Sequence, residues 1–177
     1  KKMYAEKGWA APTSWMDLGD PKLKGKVVVQ SLSSSTFGLH AFMMFNRIQG
    51  GDDRNVEPGF NAWRAKIGGN VIEYIPNSAK ISEMVQTGEA ALFPLTPTQT
   101  EVLKAKGVPV EYAQPKEGSV VLITAQCVVA NTPDADLAQK LAEHILAADS
   151  QSKLLEVAAQ LPTNSKATAT GAGAATL

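Results

Sequence analysis

Lys26-Val27-Val28-Val29-Gln30-Ser31-Leu32-Ser33-Ser34-Ser35-Thr36 changes character twice. The first part is a compact β-branched run following Gly25, which reads as a strand. The second part is a cluster of hydroxyl side chains, and the third is the start of a helix. From Thr36 to about Gln49 the apolar residues Phe37, Ala41, Met44, Phe45 and Ile48 recur at helical spacing, and Gly50-Gly51 closes the element. A strand that is apolar at every position needs cover on both faces, as strands of a parallel sheet do. This stretch therefore predicts a strand–loop–helix unit of an α/β layer.

The same alternation continues outward. A helix carrying Phe60, Trp63 and Ile67 follows Pro58 and ends at Gly68-Gly69, and Asn70–Ile75 reads as a strand. Asn77 or Ser78 caps a helix that runs to Gln86 with Ile81 and Met84 inward. Glu89–Phe93 and Val108–Ala113 read as short strands on either side of a Thr98–Lys106 helix. Val120–Val129 reads as a long apolar strand. Beyond it Leu137, Leu141 and Ile145, then Leu154, Val157 and Ala158, mark two helices, with Asp134 or Thr132 as the first cap. The expected class is α/β, a mostly parallel sheet flanked by helices. The Ala/Gly/Thr stretch 166–177 has little to bury and is expected to be mobile or weakly docked.

Composition excludes several functions. The 177 residues carry 17 Lys plus Arg and 17 Asp plus Glu, so no net field draws nucleic acid or an anionic membrane. No apolar stretch is long enough for a membrane span. The single cysteine, Cys127, sits in an apolar run and is expected to be a buried small hydrophobe. His40 and His144 lie inside helices with no partner at metal-ligand spacing, and Asp52-Asp53 follows Gly50-Gly51 in a polar turn. No nucleophile is accompanied by a base and an orienting group, so no catalytic residue, metal site or cofactor is expected.

Binding is better supported. Ser33, Ser34, Ser35 and Thr36 stand where a strand gives way to a helix. Ligands of open α/β sheets lie outside the carboxyl ends of strands, and a helix start offers free N–H groups to a carboxylate or phosphate. One helix cap needs one hydroxyl, and four are present. Thr96 and Thr98, in Leu95-Thr96-Pro97-Thr98-Gln99, occupy an equivalent strand-to-helix turn, and Ser78 begins a third helix beside Lys80.

Four punctuated segments occur in order: Pro12-Thr13-Ser14-Trp15-Met16-Asp17-Leu18 leading to Lys24-Gly25-Lys26-Val27; Thr87-Gly88-Glu89-Ala90-Ala91; Pro115-Lys116-Glu117-Gly118; and Leu161-Pro162-Thr163-Asn164. Together they resemble the extracellular solute-binding proteins of bacterial ABC importers, the type 2 periplasmic binding proteins that include polyamine and ferric-iron binders. The resemblance covers the second half of such a protein. It implies a ligand-binding second lobe over 1–123. Over 124–165 it implies a returning hinge strand and helices that pack on a first lobe expected to precede Lys1, with a flexible tail over 166–177. It also implies a mature periplasmic protein without its signal peptide, a small-molecule solute held between two lobes, an ABC permease as partner, and no catalysis. Thr124, on the returning strand, joins the ligand-binding set through this resemblance.

Polyamine binders hold ammonium groups with an aromatic wall and a strand carboxylate. Leu122, Thr124 and Thr96 stand at those positions, so a small polar or anionic solute is the first expectation and a polyamine the alternative. Two other classes are weighed: an enzyme lobe, which would need a cofactor-bearing cysteine, and hence a reactive Cys127, or an acid–base pair, and the ligand lobe of a regulator, which would need a basic DNA-binding segment. A third is a self-associating module, a homodimer paired through the 134–160 helices.

Overall fold

The structure is a computed structural model and describes residues 1–170. The chain divides into two compact units, Lys1–Leu122 and the residues from Ile123 on.

The first unit is built around β1 (Val27–Gln30), which is buried along its whole length. β1 pairs in parallel with β2 (Val71–Ile75), with Gln30 level with Ile75. On its other edge Leu92 forms a parallel bridge to Val27, fixed by Val28 N donating to Leu92 O at 3.1 Å and Ala91 N to Lys26 O at 2.8 Å. Alternate β1 side chains enter different cores. Val27 and Val29 pack with Leu18, Leu23, Phe42, Phe45, Trp63 and Ile67. Val28 packs with Ile75, Ile81, Met84, Leu103, Val108 and Val110. An uninterrupted valine run is what a strand between two apolar layers requires.

Helices cover both faces. α1 is Lys2–Lys7, α2 Thr36–Ile48, α3 Glu57–Ala62, α4 Ala79–Gln86 and α5 Pro97–Ala105. The buried stripe of α2 is Gly38, Ala41, Phe42, Phe45 and Asn46, with Met44 only half-buried, so its inner face is turned from the one the sequence suggested. The rotation follows from Gly38, which lets the first turn of α2 sit on the end of β1. A Cβ there would lie 2.1 Å from Gln30 O. The expected helix after Pro58 is α3, continued by a π-turn over Trp63–Ile67 and a 3-10 turn over Gly68–Asn70. Its Trp63 stacks edge-on against Phe45, ring centroids 5.3 Å apart. Asn46 holds α2 to the turn and helix that follow it. Its Nδ2 donates to Asp52 O and Asn55 O, and its Oδ1 accepts from Gly59 N at 2.8 Å. Asp52 itself caps the turn by accepting from Arg54 N and Asn55 N.

Two segments quoted from opposite ends of this unit meet. Ser14 Oγ and Trp15 N donate to the Glu117 carboxylate, Trp15 Nε1 donates to Gly118 O at 2.9 Å, and Lys116 N donates to Thr13 O at 2.8 Å. Ser14 also begins a reciprocal cap with Asp17, which accepts from Ser14 N. Burial works against the Glu117 charge, but the bonds from Ser14 and Trp15 prevail and hold its carboxyl below the ordinary 4.5.

In the second unit α6 is Ala135–Leu146 and α7 is Ala148–Ala158. Gln151 is buried and ties the Pro-Thr-Asn turn to the helices: its Nε2 donates to Ile145 O and its Oε1 accepts from Thr163 N. Asn164 Nδ2 donates to Leu146 O at 2.8 Å. Asp134 is the N-cap residue of α6, without a side-chain cap bond. Of the expected mobile stretch 166–177, Thr168 N bonds Ser152 Oγ, and the part from residue 171 lies outside the described residues.

The α/β class with parallel pairing is borne out, but three expected strands are not. Glu89–Phe93 contributes one bridge, Val108–Ala113 forms no ladder, and Val120–Val129, expected as the returning strand, is exposed throughout and forms none. A strand exists through its neighbours, because extended N–H and C=O groups need a ladder partner. Among the described residues these runs have none beyond the Leu92 bridge. Cys127 is correspondingly exposed, not buried.

Gly38→Ala is expected to destabilise the first unit by about 3 kcal/mol, the backbone clash outweighing the gain in helix propensity. Asn46→Ala leaves Asp52 O and Gly59 N without their side-chain partner, while Asn55 O keeps the bond from Asp52 N, and costs about 3 kcal/mol; urea unfolding measures both changes. The depressed Glu117 carboxyl stabilises the fold above its unfolded value near 4.5 and loses that contribution as pH falls through the lower folded value. Glu117→Gln should therefore flatten the stability–pH curve below about 4.5. An unchanged curve would dismiss the contribution.

Candidate functional site

Parallel pairing brings the ends of three segments to one edge of the first unit. Ser31 is four residues past Val27, Pro76 follows Ile75, and Thr96 is four residues past Leu92, the bridge partner of Val27. Ser33–Thr36, Ser78, Thr96 and Thr98 thus all follow carboxyl ends of parallel segments. Thr124 belongs to the second unit and is exposed.

The serine loop is ordered by short-range bonds. Ser31 N donates to Ile75 O at 2.8 Å, tying the loop to β2. Ser34 N and Ser35 N both donate to Ser31 O, folding it into a turn. Ser34 Oγ reaches Pro76 O at 3.2 Å, and Ser31 Oγ lies 3.1 Å from Ser33 Oγ. Ser33, Ser34 and Thr36 are exposed and Ser35 is half-buried. Ser35 has the extended backbone of an N-cap residue, φ −139° and ψ 124°, but makes no side-chain cap bond to α2. Its hydroxyl donates instead to Gln30 Oε1 at 2.6 Å. Leu39 N donates to Ser35 O. The amides ahead of it point out of the helix end, where they have no intrahelical acceptor.

The other two helix starts differ. Thr96 Oγ1 accepts from Gln99 N at 3.2 Å, a conventional cap, with Pro97 in the first turn, and Thr98 is half-buried on that turn. Ser78 is the N-cap residue of α4, but Asn77 Oδ1 is what accepts from Ala79 N. Lys80 pairs with both oxygens of Glu73, at 2.6 and 2.8 Å, and this bond raises its pKa. The edge therefore offers hydroxyls and outward-pointing amides. No carboxylate stands in Ser31–Thr36 or Leu95–Gln99.

Gln30 was not singled out from the sequence, although a polar residue ending a valine run is a legible sign. His40 lies in α2, half-buried, and its Nδ1 is enclosed without a partner. Among the described residues no group of three or more His, Cys, Asp or Glu side chains could hold a metal ion.

A cavity of about 880 Å³ in this unit is lined by Tyr4, Trp9, Trp15, Lys26, Phe93 and Tyr112 and reaches Leu95, at the start of the Thr96 turn. Ser33–Thr36, Ser78, Thr96 and Thr98 do not line it. Several of its polar groups are engaged, Lys26 Nζ donating to Gly88 O, Lys1 Nζ to Glu111 and Ser14 to Glu117, while the Tyr4 hydroxyl is enclosed without a partner. Burial, with Asp17 and Asp20 nearby, pushes the Tyr4 hydroxyl up to about 12. The carboxyl edge, with donors that lack acceptors, is the better binding candidate.

Solved structures share this fold. The periplasmic binding protein AfuA from Actinobacillus pleuropneumoniae, solved with exogenous fructose-6-phosphate bound, superposes with a TM-score of 0.78 at 22% identity, covering 96% of this chain and 52% of that one. The periplasmic binding protein P5PA gives 0.71 at 23% identity, covering 96% and 52%. An ABC transporter protein from Clostridium perfringens gives 0.70 at 19% identity, covering 94% and 53%. The chain spans about half the length of these proteins, and at such identities the likeness speaks for fold alone. None of the curated proteins compared matches the sequence. The model of the bacterial extracellular solute-binding protein family matches residues 1–176, and the chain belongs to that family.

Proposed function

We propose that this chain is the substrate-binding part of an ABC importer, working outside the cytoplasm. It takes a small polar or anionic organic solute at the carboxyl edge of its parallel sheet and presents it to a membrane permease. The observation that carries this reading is the open start of α2, where outward-pointing amides stand among the exposed hydroxyls of Ser33, Ser34 and Thr36. Ser78, Thr96 and Thr98 border the same edge. In this reading a second lobe closes over the solute from the opposite side, and Thr124, in the segment leading to α6, is the contact from the crossing chain. The solute is held and released unchanged, without a catalytic group.

An anionic group suits this edge because amides and hydroxyls meet it with donors, and the helix start adds partial positive charge. The fructose-6-phosphate seen in the Actinobacillus protein is an example of such a solute on the same fold. A polyamine would need carboxylates and an aromatic wall, which these loops do not supply.

One feature favours a second reading. α6 buries none of its residues and exposes Leu137 and Leu141, so it is a self-associating face if no other lobe covers it. Sedimentation of the chain separates the two: a dimer abolished by Leu137→Glu supports self-association, and a monomer at high concentration dismisses it.

For the solute-binding reading, thermal shift and calorimetric titration against sugar phosphates, carboxylates, amino acids and polyamines are expected to show anion binding with a dissociation constant of about 1 mM for this half of the clamp. Thr36→Asp places a negative charge at the α2 start. It should weaken anion binding at least about tenfold while leaving stability equal or raised by about 0.5 kcal/mol. A preference for polyamines, or anion binding indifferent to Thr36→Asp, would refute the proposal.

A further inference from the structure

We infer that Gln30 is a positioning residue that keeps the start of α2 open and turns it into a receptor for an oxyanion, a carboxylate or a phosphate; this rests on the carboxyl-edge site proposed above. Gln30 is the last residue of β1 and only 3% exposed. Strand alternation puts its side chain on the face of Val28, among apolar groups. A primary amide in such a place needs partners for its oxygen and its nitrogen. Only the oxygen has one: Oε1 accepts from Ser35 Oγ at 2.6 Å, while Nε2 is enclosed with none.

The oxygen of that amide acts on the helix end. The bond to Oε1 draws the Ser35 hydroxyl toward the strand. Ser35 has cap geometry yet leaves the first-turn amides of α2 uncapped, whereas Thr96 caps α5 in the ordinary way. Gly38 seats that turn directly on Gln30 O, so strand end and helix start are one assembly. In this arrangement the Ser35 hydroxyl donates to Oε1, and the Nε2 donor is unused. The first-turn amides of α2 and the Ser33, Ser34 and Thr36 hydroxyls stand together with no carboxylate in Ser31–Thr36, and the unused Gln30 Nε2 lies one amide carbon away from the Oε1 that holds Ser35. A ligand group suited to this set must be rich in acceptors, as a terminal phosphate or carboxylate is and an ammonium is not.

The test is an NMR titration of the full chain with inorganic phosphate. The backbone signals of Thr36, Phe37 and Gly38 and the side-chain NH2 signals of Gln30 are expected to move together with one dissociation constant. Gln30→Met keeps length and apolar volume but removes both amide functions. It should weaken phosphate about tenfold without lowering the urea midpoint. It also frees Ser35 to cap α2, so Ser35→Ala should destabilise the Gln30→Met chain more than the unaltered one, a coupling that a purely structural glutamine would not produce. If the α2 amides respond while the Gln30 signals stay fixed, or Gln30→Met binds phosphate equally well, the role of Gln30 is overturned and the edge site stands. If phosphate moves none of these signals, the edge reading falls and this inference with it. Should Gln30→Met fail to fold, the Gln30 NH2 signals of the unaltered chain decide alone.

Discussion

Everything in the first unit hangs on the need to bury β1 on both faces and along both edges. All four residues of β1 are enclosed, and its three valines supply side chains to two separate apolar clusters, so helices must lie above and below. Their backbone groups need partners on either side, and β2 and Leu92 provide them. Parallel pairing follows from helices that return each segment to the same starting level. The binding edge is a by-product of that arrangement: three loops leave the sheet in the same direction because the strands beneath them run in the same direction.

Chemistry at that edge comes from how the helix starts are finished. α5 is closed by Thr96 and Pro97, a stable and chemically quiet solution. α2 begins one residue after a serine with the right backbone and the wrong partner. The difference is not residue type, because serine and threonine are both good caps. A buried glutamine amide competes for the hydroxyl and leaves main-chain donors facing outward.

Much of this was legible before any coordinates. Runs such as Val27–Val29 and stripes such as Ile81 and Met84 state a local geometry through periodicity alone. The serine cluster after a strand pointed to the edge, because position at a strand end follows from chain order. What was hidden depended on distant partners. Val120–Val129 has the residue types of a strand, but residue types do not name a neighbour, and among the described residues it has no ladder. Cys127 shared that error. The α2 stripe was misplaced because Phe37, Met44 and Ile48 are as apolar as Ala41 and Phe42. Only the close seat of Gly38 on Gln30 O decides which face turns inward. The engagement of Ser35 by Gln30 turns on the pose of one side chain, which no spacing rule encodes.

The clasp between Thr13–Trp15 and Lys116–Gly118 reaches beyond stability. It draws the incoming and outgoing stretches of the first unit side by side, through the Glu117 carboxylate, the Gly118 carbonyl and a main-chain bond. A module whose entrance and exit are adjacent can be spliced into a surface loop of an unrelated host without prising the host apart. The cores around β1 travel with it, so this segment is a natural cassette for building chimeric receptors.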